Sequence, residues 1–381
     1  MMTAAGGPAL AGGRPETATL SPWALIQRRF AKRRLAVASL YILAFLYLMS
    51  LLAEFMAPYA PGERHLNYAY APPQALRWNL RDGLHVRLLR PHVDPITFRR
   101  QFEELDDAAP VHLLVSGAPT HLLGLIPMEH RLVGVDAALE SGHALAGHVE
   151  TTLFLLGADK YGRDIFSRAI FGARISLTVG LVGVLLSLVL GLLIGGISGY
   201  AGGRVDGATQ RAVEVFQSLP QLPLWIALAA AVPPSWSAVT TYFAITVLLG
   251  LVNWTGLARV VRGQVLALRN EDYVVAARLA GASHGYVLLR HLLPACSSHL
   301  IATVTLSMPS MILGETALSF LGLGLRPPVV SWGVMLQDCL DVKTAMHYPW
   351  LLMPGVLVVV TVLCFNFLGD GLRDVADPYA D

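Results

Sequence analysis

The sequence predicts an all-α polytopic membrane protein with six apolar helical spans and a small α+β insert between the first two. Three observations predict it. Of 381 residues, 54% are apolar and only 14% are charged, where a water-soluble domain carries about 25% charge. Mean hydropathy is +0.55, and the apolar residues gather in stretches of bilayer length. The basic residues are concentrated in alternate connecting segments. This composition excludes a soluble globular enzyme and a disordered chain. The 35 Gly and 23 Pro follow no three-residue period, so collagen is excluded as well. A net charge of +2 without a clustered basic face gives no sign of a nucleic-acid partner. Cys296, Cys339 and Cys364 lack metal or redox spacing and read as packing thiols.

Residues 1–34 form an N-terminal segment. Its first 20 residues, rich in Gly, Ala and Pro, are expected to be disordered. Ser21-Pro22-Trp23 then has the form of a helix start, with Ser as cap and Pro in the first turn. The basic stretch to Arg34 reads as a short helix on the membrane surface, with Trp23 as its anchor. The first span runs from Leu35 to Met56, a helix of about 33 Å. That apolar run is too long for a cleaved signal peptide, so none is expected. The second span runs from Ile175 to Gly199. Its Gly191, Gly195 and Gly199 share one face and let another helix approach closely, either across a subunit seam or within the chain.

The third span, Thr209 to Val232, is interrupted by Pro220 and Pro223, which kink or break it. In a membrane such a break is tolerated where it is packed in protein or lines a cavity. The remaining spans are Ala238 to Ala258, Ala295 to Leu318 and Trp350 to Leu368. Arg14, Arg28, Arg29, Lys32, Arg33 and Arg34 precede the first span, and Arg259, Arg262, Arg269, Arg278 and Arg290 follow the fourth. The positive-inside rule therefore places both termini and the loop 259–294 in the cytoplasm. The insert 57–155 falls on the other side. Leu76 to Leu89 alternates around Arg81-Asp82-Gly83 like a hairpin, Asp94-Pro95 opens a charged helical stretch to Leu105, and Val111 to Val115 reads as a strand. The His residues of this insert show no metal-ligand spacing and read as solvated surface groups. Residues 156–381 form the core with the other five spans.

The loop between the fourth and fifth spans is patterned beyond what a connector needs. Apolar and charged residues alternate at helical spacing from Asp272 to Ala280, Gly281 falls where a helix can end, and a second short helix leads to Pro294. A helix–Gly–helix with small residues at its centre lets a partner close over the backbone. Its Ala276-Ala277-x3-Gly281-x11-Leu293-Pro294 resembles the E-A-A-x3-G-x9-I-x-L-P signature of permease subunits of binding-protein-dependent ABC importers. Val275 stands where Glu is usual and His291 where Ile is usual. Three further stretches resemble the peptide/nickel branch, of the OppC/DppC type. They are Leu156-Gly157-Ala158-Asp159-x2-Gly162-Arg163-Asp164 with Ser167-Arg168 beyond it, Leu318 to Gly324 with Pro327-Pro328 and Ser331-Trp332-Gly333, and Asn366 to Pro378. The resemblance covers 21–56 and 156–380 and fails over the insert.

The resemblance implies the type I ABC importer permease fold in a bacterial or archaeal cytoplasmic membrane. It also implies a second homologous permease, two ATPase subunits and an extracytoplasmic solute-binding protein. Cargo would be di- or oligopeptides, with oligosaccharides and nickel complexes as alternatives. The chain has no G-x-x-x-x-G-K-[ST] loop, so no cofactor or metal is expected on it, and ATP and Mg belong to the ATPase partners. The implied coupling residues are Glu271, Ala276, Ala277, Arg278, Gly281, His291 and Pro294. Glu214 and Glu315, read as lying within apolar spans, and Pro220 and Pro223 either line the pathway or pack helices. Arg163, Asp164 and Trp332 are candidate contacts for the binding protein. Two other classes fit less well. An intramembrane protease would need a partner for Asp370 in another span, and an ion-coupled secondary transporter would need an internal repeat; neither is found.

Overall fold

A computed structural model describes residues 22–80, 83–96, 98–135 and 149–376, apart from the side chains of 22–26, 118 and 298. The Ser21 cap, the Trp23 anchor, the Arg81-Asp82 turn, two of the insert histidines and Asp377-Pro378 lie outside this description. Chain order runs α1 (Pro22–Ala31), α2 (Arg34–Leu51) and α3 (Ala53–Met56), then β1 (Arg77–Asn79), β2 (Gly83–Val93), β3 (Arg100–Leu122) and β4 (Ile126–Val135). It continues with α4 (Ile165–Ala201), α5 (Gly203–Ser218), α6 (Gln221–Ala230), α7 (Ala238–Leu268), α8 (Asp272–Leu279), α9 (His284–Val287) and α10 (Leu293–Ala295). Last come α11 (Ser297–Phe320), α12 (Trp332–Leu336), α13 (Val342–His347) and α14 (Met353–Ala376).

Among the described residues, five helices are long and apolar enough to cross a membrane, not the six expected. The third expected span is two helices. Pro220 disfavours helical backbone in the residue before it, and Leu219 is accordingly extended, with φ −82° and ψ 134°. The chain then restarts as the short apolar α6. Pro223 lies in the first turn of α6, where its missing N–H has no intrahelical partner to lose. The α5 half is polar and amphipathic and lacks the apolar character of the five spans, and it buries Val213 against Trp254 and Ala258 of α7.

The bundle core joins Leu43 and Leu46 of α2, Ile170 and Leu177 of α4, Ile245 and Leu249 of α7, Met311 and Ile312 of α11 and Phe365 of α14. α4 lies along α7 more extensively than any other helix pair. The glycine stripe explains this. A Cβ on Gly191 would sit 2.7 Å from Leu257 Cβ, one on Gly195 would collide with Ala258 O, and one on Gly199 would sit 2.8 Å from Arg262 O. The stripe is therefore an intrachain seam between α4 and α7, with the backbones too close for any side chain.

Between α3 and α4 the described residues form a four-stranded antiparallel meander in the order β1-β2-β3-β4. The helical stretch expected from Asp94 to Leu105 is not there: Asp94 caps a turn and β3 begins at Arg100. The stretch pairs with β2 instead, with opposite charges facing across the strands. Arg90 faces Glu103 in register, and Glu104 lies 3.0 Å from Arg77 of β1. The long β3 pairs with β2 through its first half and with β4 through its second, Val111 facing Val135. Val86, Ala109, Val111 and Leu153 close a small core beneath it.

Candidate functional site

The loop after α7 presents its polar and small residues outward on an apolar base. Glu271 precedes α8, whose Val274 is buried together with Val261 and Val265 of α7, Val287, Leu292, Cys296 and Leu300. Gly281 ends α8 with φ +86°. Its N–H bonds to Arg278 O at 2.9 Å and the Ala282 N–H to Ala277 O at 3.0 Å. This pair of bonds is the Schellman stop, which requires the left-handed residue that glycine supplies without strain. A Cβ at Gly281 would meet nothing within 4 Å, so the space above it is open. Glu271, Ala276, Gly281 and Pro294 are exposed, and Leu279 beside them is 85% exposed. Leu293 N–H reaches back five residues to Leu288 O in the widened turn before Pro294, which has no N–H of its own.

Arg278 is not a free surface charge. Its guanidinium lies 5.0 Å from the centre of the Tyr200 ring, and Tyr200 Oη is 2.9 Å from His284 Nδ1. His291 is half-buried between Tyr273 and Tyr286. Tyr200 and His284 were missed in the sequence because their partners lie on other elements. Beneath the loop, Asp206 of α5 takes both a bidentate bond from Arg262 of α7 and a 2.6 Å bond from Ser198 of α4. The Arg262 guanidinium holds the Asp206 carboxyl down at about 2. Arg269 completes the tie by donating to Gly199 O at 3.2 Å.

The break between α5 and α6 opens on a cleft of about 450 Å3. Its polar lining is neutral and includes Ser187, Gln221, Asn253, Thr303, Ser307 and Ser310. Gln221 donates to Asn253 Oδ1 at 2.7 Å, which couples the restart of the broken helix to α7. The Leu219–Pro220 break thus borders a cavity, while Pro223 sits inside α6. Glu214 does not line an apolar span as expected. It lies on the polar α5, its side chain 56% exposed and 2.9 Å from Arg211.

At the other end of the bundle the motif residues are enclosed. Glu315 is fully buried and accepts from Ser331 Oγ at 2.7 Å, Ser319 Oγ at 2.8 Å and Ser176 Oγ at 3.2 Å. Each serine oxygen in turn accepts a backbone N–H, from Val334, Leu325 and Trp332. This carboxylate therefore fastens α4, α11 and α12 together. Trp332 is wholly buried and donates to Ala169 O at 3.0 Å. Asp164 caps α4, taking Ser167 N at 2.7 Å and Ser167 Oγ at 2.6 Å, and its burial pushes its carboxyl up to about 6. Arg163 turns inward to Asp159 at 2.7 Å. Arg163, Asp164 and Trp332 are thus spent on internal contacts and do not form the outward surface expected for a binding protein.

A multi-pass helical bundle with a cleft of neutral lining between its helices and an exposed, small-residue loop at one end has the architecture of an integral-membrane transport component. Residues 165–380 match the family described as binding-protein-dependent transport system inner membrane component, and residues 21–73 match the N-terminal transmembrane domain of oligopeptide transport permease C. The chain belongs to this family of inner-membrane transport components. It is 31% identical to the dipeptide transport system permease protein DppC of Bacillus subtilis (strain 168), over 92% of this chain and 84% of that one. It is 40% identical to the oligopeptide transport system permease protein OppC of the same organism, over 58% of this chain and 70% of that one. Among solved structures, an amino acid ABC transporter crystallised with histidines aligns with a TM-score of 0.40 and 14% identity, over 55% of this chain and 94% of that one.

Proposed function

We propose that this chain is the permease subunit of an ABC importer for peptides, forming half of the translocation pathway beside a second homologous permease. Two ATPase subunits carry ATP and Mg, and an extracytoplasmic solute-binding protein delivers cargo. The carrying observation is the α8–Gly281 stop, which sets an open small-residue surface on an apolar base joined to α4, α7 and α11. Glu271, Ala276, Ala277 and Gly281 seat in an ATPase cleft. Arg278, His291 and Pro294 shape the loop that enters it. Basic residues cluster at this end of the chain, so the loop and both termini are cytoplasmic and the sheet 77–135 is extracytoplasmic.

The cargo class rests on the names of the dipeptide and oligopeptide relatives. The amide and hydroxyl lining of the cleft agrees with it, since a peptide backbone needs neutral donors and acceptors rather than a fixed charge. ATP-driven closure of the ATPase pair pulls on α8, and the α4–α7 seam carries the motion to the cleft. The chain itself catalyses no reaction in this scheme. The test is to purify the tagged chain from membranes and assay peptide-stimulated ATPase activity. A second permease and ATPases should co-purify, and Gly281→Asp should abolish stimulation. If the chain purifies alone and carries solute without ATP, the reading fails in favour of a secondary transporter.

A further inference from the structure

The hairpin joining β3 and β4 ends in an apolar tip, Leu122-Leu123-Gly124-Leu125-Ile126, with no charged residue. Leu123 is 49%, Leu125 82% and Ile126 59% exposed. Leu123 and Gly124 are both left-handed, with φ +53° and +74°. Hairpin loops in water fill such positions with Asn, Asp or Gly, because a branched apolar side chain is strained there. Local turn chemistry therefore does not account for Leu123, and the tip is apolar for a reason outside the turn.

The position of the tip supplies that reason. β3 and β4 pack against α3, the turn that ends the first membrane-crossing helix. Arg131 of β4 donates to Pro58 O just beyond that turn. Further along the hairpin, the Leu123 backbone comes close enough to Glu54 to act on its carboxyl. Glu54 is also held by Arg174, which bonds Ser50 O and Leu51 O at the last turn of α2. The tip thus stands beside the end of an apolar span whose Leu48 and Leu51 are themselves exposed. Its apolar side chains extend that exposed apolar surface sideways.

We infer that the β3–β4 tip enters the interfacial layer of the bilayer and anchors the sheet to the lipid surface. A tip of three exposed apolar side chains at the end of a span meets acyl chains before it meets a soluble partner. The β2–β3 turn, at the opposite end of β3, carries an 86% exposed Ile96 and has no such neighbour among the described residues.

The test places an environment-sensitive fluorophore on Leu125→Cys, with Cys339→Ser as background, in the full chain with its co-purifying subunits in phospholipid nanodiscs. Ile96→Cys serves as the aqueous control. The inference expects blue-shifted emission at position 125, loss of intensity with nitroxide-labelled lipid and little quenching by iodide. Position 96 should show the reverse. Iodide quenching at 125 equal to that at 96 would overturn it, as would protection that arises only on adding a solute-binding protein or is unaffected by nitroxide lipid. A second labelled variant, Ile126→Cys, must report the same environment if the whole tip, and not one side chain, is immersed.

Discussion

The two ends of α4 solve opposite problems. At the Asp164 end, the polar and aromatic anchors of the motifs turn inward: Asp164 caps the helix, Trp332 is buried on Ala169 O, and Glu315 gathers three serines. At the Ala201 end, Val274, Val287 and Leu292 of the loop are buried while Glu271, Ala276 and Leu279 face out, with Gly281 open above. Both ends carry dense, recognisable sequence patterns. One pattern encodes internal wiring and the other a surface. Motif density alone does not tell which; the sequence neighbours of a buried carboxylate and of an open glycine look equally constrained.

This contrast predicts that substitutions at the enclosed end cost stability and those at the open end cost function. The largest effect is Trp332→Ala, which removes a fully buried indole and its bond to Ala169 O. It should destabilise the chain by about 3–5 kcal/mol, read as a lowered melting temperature in detergent. Next is Asp164. Its carboxyl titrates at about 6 in the folded chain against 3.8 for an ordinary Asp, so the folded state binds the extra proton. Stability is then highest in acid and falls as pH rises from about 4 to 6, by up to about 3 kcal/mol. A pH series of melts should show this slope, and Asp164→Asn should remove it.

At the open end, Asp206 reverses the sign. Its lowered carboxyl stabilises the Arg262 tie above about pH 4 and releases it as pH falls toward 2. Acid should therefore lower amide protection factors, taken relative to the intrinsic rate at each pH, at the Ala201 end of α4 while raising them at the Asp164 end. Gly281→Ala keeps the space but strains the φ +86° backbone, at about 1 kcal/mol. The smallest effect on stability is Leu279→Ser, within about 0.5 kcal/mol of the parent because the side chain touches so little. It should nevertheless weaken ATPase co-purification. Equal loss of melting temperature for Leu279→Ser and Trp332→Ala would erase the distinction between the ends.

Much of this was legible in the sequence. Length and hydropathy located five of the six expected spans, the four-residue glycine spacing marked a close helix approach, and Gly281 marked the end of α8. What escaped depended on partners far along the chain. Asp94-Pro95 has the form of a helix start, and it is pairing with β2 along its length, Arg90 facing Glu103 among the pairs, that makes the following residues a strand. Pro220 and Pro223 announced a break, but the polar face of α5, which removes Glu214 from the apolar layer, follows from Val213 packing on α7. The inward turn of Trp332 rests on an α4 carbonyl more than a hundred residues away.

The glycine seam has a mechanical consequence. α4 has 37 residues, and at 1.5 Å per residue it is a rod about 55 Å long. Backbone contact along the seam leaves no compressible side-chain layer between it and α7, so the two helices bend or slide only together. A tilt of about 10° applied at one end of such a rod displaces the other by roughly 10 Å. The pair is a stiff lever arm, and the bonds around Glu315 and Asp206 are its end fittings.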